Sequence, residues 1–151
     1  MRLWHQSLIH YLPRQQLLGQ HRECCALRGK GWGKKHSIVN YVFKYDLAHL
    51  YEYHLCVMHE MILRNYGIDN SWYNRLYRGK NLPLSTFLPL STLRLSKVGT
   101  YVNTNDEIIY PEHDDNYLRQ CLLNLKGKNV ELINGKTIDK WLIELDLKNF
   151  K

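Results

Sequence analysis

At 151 residues and 44% apolar content, the chain can bury a core of its own, which sets it apart from small peptides that need disulfide or metal staples. Its net charge of +7 favours a polyanionic partner. No stretch approaches the roughly 20 apolar residues needed to cross a bilayer, and Met1 to Leu12 carries polar residues and histidines where a secretory signal has an apolar run. Cys24, Cys25, Cys56 and Cys121 read as reduced thiols of the cytoplasm, because adjacent cysteines do not easily bridge each other.

In chain order, Pro13 can open a first helix, since its missing donor would go unpaired there anyway, and Gly29, Gly31 and Gly33 end it. At 100° per residue its core stripe is Leu17, Leu18, His21, Cys24, Cys25 and the stem of Arg28, with Gln16, Gly19, Gln20, Glu23 and Ala26 opposite. Asp46 caps a second helix whose stripe is Leu47, Leu50, Tyr51, His54, Met58, Met61 and Ile62, and Gly67 stops it. Pro83 and Pro89 make the stretch between Asn70 and Leu90 an irregular excursion. Around Tyr101 and Val102 the β-branched content leaves room for a short strand or hairpin. Asp114 or Asp115 can cap a third helix with Tyr117, Leu118, Cys121, Leu122 and Leu125 facing inward, and Ile138 to Leu147 reads as a last helix after the Asn134-Gly135 turn. The expected fold is therefore mainly α: a single compact helical domain over residues 1–151, with irregular loops and at most one hairpin.

Charge is distributed unevenly. Among the first 45 residues Glu23 is the sole acid, against Arg2, Arg14, Arg22, Arg28, Lys30, Lys34, Lys35 and Lys44. A lone carboxylate in a basic field weakens phosphate binding unless it has a task of its own, which makes Glu23 a candidate catalytic group. A solvated or ion-paired Glu23 is the plainer alternative. The GKGWGKK loop, with Lys30, Lys34 and Lys35, suits backbone phosphates, and Trp32 is available for stacking. The alternative is a solvated basic loop with Trp32 tucked into the core. It is not a phosphate-binding P-loop, because no Ser or Thr follows the lysine. His59 and Glu60 lack the second histidine of a zinc-protease helix, and His21 with Cys24 or Cys25 has no second pair at zinc-site spacing. No metal and no cofactor is expected.

An Arg just after the start, the L-x-x-Q-Q-L-L run from Leu12 to Leu18, and the Arg22-Glu23 pair together resemble the amino-terminal region of the pyrimidine-dimer DNA glycosylase (phage endonuclease V) family, particularly its cellular branch. The likeness continues through VFKYDLAHLYEYHLCVMHEMILRNYGI and covers about residues 1–68, leaving 69–151 as a divergent carboxy-terminal part. It implies an all-helical fold with the amino terminus threaded between helices toward the catalytic Glu. It also implies a bifunctional reaction, in which the α-amine of the first residue attacks C1′ of the damaged nucleotide, releases the base through a Schiff base and cuts the strand by β-elimination. Because Arg2 is too large for the usual removal of the initiator residue, that amine would belong to Met1. An α-amine suits the task, since its pKa of about 7.7–8.0 leaves roughly a tenth neutral at pH 7. By the same resemblance Glu23 would stabilise the developing positive charge and assist proton transfer. Arg2 and Arg22 would hold flanking phosphates, and Arg28 stands near Ala26, where the phage relative has an Arg. The implied partner is damaged double-stranded DNA, met by a monomer in the cytoplasm at the nucleoid. A rival expectation is a nucleic-acid-binding protein of the same fold without chemistry.

Overall fold

The computed structural model describes residues 2–34, 39–84, 95–97, 100–101 and 108–148. Helix α1 spans Arg14–Arg28, α2 Leu47–Leu63, α3 Asp115–Gly127 and α4 Ile138–Lys148, with 3₁₀ turns at Gln6–Tyr11, Asn40–Lys44 and Asn70–Tyr73. Strands β1 (Leu95–Lys97) and β2 (Thr100–Tyr101) pair antiparallel, Leu95 opposite Tyr101 and Lys97 opposite Thr100. The protein is mainly helical with the one expected hairpin; Val102 lies outside the described residues. No helix of the described residues is long and apolar enough to cross a membrane.

Pro13 precedes the first residue of α1, and Gly29 closes it, its amide donating to the carbonyls of Ala26 and Cys25. A Cβ on Gly29 would stand 2.9 Å from the Arg78 carbonyl and one on Gly31 2.8 Å from that of Ala26, so the close approach of backbone excludes any side chain at either position. Arg78 completes this end, donating through Nε to the Arg28 carbonyl and through Nη2 to that of Gly29.

The buried stripe of α1 is Leu17, Gln20, Cys24, Leu27 and Arg28, rotated from the one expected. Leu18, His21 and Cys25 are only half-buried, while Gln20 has moved from the polar side to the interior. Helix α2 is central and buried on nearly every side, including Glu52, Tyr53 and Glu60. Its expected inward Ile62 is instead half-exposed. Asn65, in the left-handed conformation at φ 61°, turns the chain after α2 ahead of Gly67. Asp114 caps α3 by accepting from the Tyr117 amide at 2.8 Å, and Leu118, Cys121, Leu122 and Leu125 face inward as expected.

One apolar cluster runs from Leu3, Trp4 and Leu8 through Leu17, Tyr53 and Met61 to Leu122, Leu125 and Leu145, so both halves of the chain share a core. The 3₁₀ turn after residue 5 is strapped at its far end by Arg64, which ion-pairs Glu60 at 2.8 Å and donates to the carbonyls of Leu12 and His10, while Asn134 also donates to that of His10.

Burial pushes the His113 imidazole down to about 3. Its Nδ1 accepts the Gln6 amide, so Nε2 carries the proton and donates to the Tyr41 hydroxyl at 2.6 Å. A histidine held neutral in the fold but free to charge in the unfolded chain stabilises the protein fully above about pH 6.5, and its contribution is lost as pH falls toward 3, at up to about 1.4 kcal/mol per pH unit. His5, His21 and His54 are shifted in the same direction. Urea midpoints should therefore drop between pH 6.5 and 5 with a slope of at least one proton. A flat profile over that window would mean that His113 is already protonated in the folded protein.

Candidate active site at the amino terminus

Residues 2–4 form a short extended segment whose backbone is held by side chains from three helices. Gln20 of α1 donates through Nε2 to the Arg2 carbonyl at 2.9 Å and accepts the Trp4 amide on Oε1 at 2.6 Å. Tyr53 of α2 donates to the Trp4 carbonyl at 2.6 Å. Tyr117 of α3 donates to the Leu3 carbonyl. All three successive carbonyls are taken, and the tyrosine on α3 is itself braced by His113, whose ring stacks on it with centroids 5.0 Å apart and which donates to Tyr41.

Glu23 stands three residues beyond Gln20, about one helical turn along α1 and about 60° round it. Its side chain is half-buried, and Oε2 is shielded from solvent with no hydrogen bond among the described residues. Leaving such an oxygen unpartnered costs about 1–3 kcal/mol in ordinary structure, and sites of that kind cluster where chemistry uses the group. Arg22, next to it, is exposed, and its guanidinium curls back to within 3.8 Å of the space a Cβ on Gly19 would fill. Arg2 is half-buried, 5.6 Å from the centroid of the Trp4 ring. Met1 and Lys35 lie outside the described residues.

Lys30 and Lys34 are exposed on the glycine loop. Trp32 is half-buried and packs edge-on against Phe43, 5.1 Å between ring centroids, so part of its face is committed to the core. Gly33, at φ 79°, turns the loop outward.

Arg28 is placed differently from the expectation. It is fully buried, and its four terminal N–H groups go to His54 Nδ1 and to the carbonyls of Trp72, Asn74 and Tyr77. The guanidinium also lies 5.0 Å from the rings of both Tyr51 and Trp72. Burial lowers its pKa to about 10, which still leaves it charged at neutral pH. Carbonyl dipoles and aromatic faces compensate that charge in place of a carboxylate. Arg28 therefore fastens residues 72–77 to α1 and is not free to meet a phosphate, and exposed Ala26 beside it is not compensated. Trp72, Tyr73 and Tyr77 accordingly serve as packing around this cation: Tyr51 donates to the Tyr73 carbonyl, and Trp72 meets Tyr77 edge-on.

The fold also gathers His21, Cys25 and His54, whose ligand atoms lie within 4.8 Å of one another. Because Arg28 donates to His54 Nδ1, the neutral His54 ring must carry its proton on Nε2, which then donates to His21 Nδ1 at 2.8 Å. That proton occupies the nitrogen a metal would need, and burial lifts the Cys25 thiol to about 11. The cluster is a hydrogen-bond chain ending on a buried cation.

Gln20, Tyr53 and Tyr117 were not among the expected site residues. Gln20 alone left a signal, since it falls between Leu17 and Cys24 at core spacing and a polar residue there needs a partner. Gln20→Ala should leave the Trp4 amide and Arg2 carbonyl unpaired and lower stability by about 2–4 kcal/mol. Amide hydrogen exchange at Trp4 should then approach that of an unprotected site, whereas unchanged exchange would release the segment from its proposed dependence on Gln20.

Residues 1–74 match the family model described as Pyrimidine dimer DNA glycosylase. No curated protein and no solved structure matches the chain.

Proposed function

We propose, from the match of residues 1–74 to the pyrimidine dimer DNA glycosylase family model, that this protein is a DNA-repair glycosylase with AP-lyase activity acting through the amine of Met1 and the carboxylate of Glu23. The observation that carries the reading is the bolted segment at residues 2–4, clamped by Gln20 one helical turn from a half-buried carboxylate oxygen without a partner among the described residues. A backbone held at every carbonyl supports a fixed position for the atoms that precede it, and positioning alone is worth several kcal/mol of barrier. The neutral α-amine would attack C1′ of the damaged nucleotide as the bond from C1′ to the base breaks, the base leaving with the electron pair and taking up a proton. Loss of one proton from the attached nitrogen and opening of the sugar, O4′ leaving C1′ with the electron pair and taking up a proton, would give the protonated Schiff base. Removal of a C2′ proton would then expel the 3′ phosphate. Glu23 would balance the positive charge that develops at C1′ and at the imine nitrogen, and would move protons to and from the sugar.

Arg2, Arg22, Lys30, Lys34 and Lys35 would hold the duplex through its phosphates, with the open part of Trp32 available to a base. Arg28 is left out of this set because its guanidinium is buried and its four terminal donors are used inside the fold. The apolar cluster shared by the two halves supports one domain over 1–151, acting as a monomer on damaged double-stranded DNA.

Glu23→Gln keeps size and most hydrogen bonding while removing the charge. Under single-turnover conditions on a duplex carrying a cyclobutane pyrimidine dimer, it should slow glycosidic-bond cleavage and the strand nicking that follows at least about 100-fold with affinity retained or improved. Near-normal cleavage by the folded variant would leave Glu23 without a catalytic task. Tight binding by the wild type without any cleavage would identify the non-catalytic nucleic-acid binder instead.

A further inference from the structure

The carboxy-terminal half, which the family model does not cover, reaches the amino-terminal site along one face of α3. Tyr117 donates to the Leu3 carbonyl, and Lys128 at the helix end sets its ammonium 5.7 Å from the centroid of the Trp4 ring. Arg2 approaches the same indole at 5.6 Å. Two cations therefore converge on one nearly buried tryptophan, no farther apart than the sum of those distances. At roughly 3.4 Å of axis per charge, such a span covers about three phosphates of one strand. Lys128 is exposed and makes no ion pair among the described residues. Exposed Glu131 stands three residues beyond Lys128 and makes no ion pair with it among the described residues. Asp114 and Asp115 stand at the opposite end of α3, about 20 Å away along its axis, with Asp115 paired to Lys148, and Asp139 is taken by Lys126.

We propose that Lys128, together with Arg2 across Trp4, forms a phosphate clamp through which the carboxy-terminal half grips the DNA strand beside the amino-terminal site. The inference rests on the reading of that site as a DNA-repair centre. Cation attraction to the indole fixes both side chains at the surface, and close approach of two like charges raises the attraction for an anion between them. A lysine at this position also complements the α3 dipole, so stability and binding must be read separately.

Fluorescence anisotropy of the full chain on a plain duplex, and on one carrying a tetrahydrofuran abasic analogue, across a series of salt concentrations tests the clamp. Lys128→Ala should weaken both complexes about equally and lower the log-log salt slope by about 0.9, with Lys128→Arg restoring it. Lys140→Ala, an exposed lysine on α4, should leave the slope unchanged. A wild-type slope in Lys128→Ala, with or without a shifted urea midpoint, would overturn the clamp and leave Lys128 as a helix-end charge. Borohydride trapping of the wild type on abasic DNA separates the two ideas: trapping without a slope change refutes only the clamp, and a slope change without trapping refutes only the chemistry.

Discussion

The capture of three consecutive backbone carbonyls at residues 2–4 by Gln20, Tyr117 and Tyr53 is the constraint on which the rest of the molecule depends. A terminal segment ordinarily frays, because its few contacts do not offset the entropy of ordering it. Here α1, α2 and α3 each give one side chain to it, so its order is inherited from the whole core. The cost of leaving buried carbonyls unpaired turns that arrangement into a strict one. It explains why Gln20 is inside, and it ties α3, which lies beyond the end of the family match at residue 74, to the amino-terminal segment.

Arg28 does the corresponding work at the other end of α1. Its buried guanidinium collects three carbonyls from the segment 72–77 and one imidazole from α2. The arrangement brings the last stretch matched by the family model onto the first two helices. A buried cation without a carboxylate is tolerable only because every terminal donor is satisfied and two aromatic faces flank it. One consequence is electrostatic: part of the positive charge of the first 45 residues is spent inside, while Arg22, Lys30 and Lys34 stand exposed.

Local signals in the sequence were sufficient for the helices whose ends are marked by side-chain chemistry. Pro13 and Gly29 bracket α1, Asp114 caps α3, and the Asn134-Gly135 pair turns the chain ahead of α4. The rotation of the α1 stripe was not legible, because the element that takes up Gln20 is the segment at residues 2–4, too short to have a period of its own. Arg28 misled for a related reason. Its stem was correctly placed toward the core, but its partners are backbone carbonyls 44 to 49 positions away, and carbonyls have no residue identity to read. The gathering of His21, Cys25 and His54 likewise depends on how α1 crosses α2. Glu23 was visible from charge alone as an isolated acid, and its placement at the edge of the buried stripe follows once Gln20 is known to be inside.

Attack of the Met1 amine on C1′ beside Glu23 is tested by borohydride trapping on abasic-site DNA, followed by mass spectrometry of the adduct. A sugar carried on the Met1 amine is expected, with no adduct from a protein extended by a few residues at that end, although its DNA affinity stays largely intact. A sugar mapped to Lys30, Lys34 or Lys35, or trapping undiminished by the extension, would contradict it.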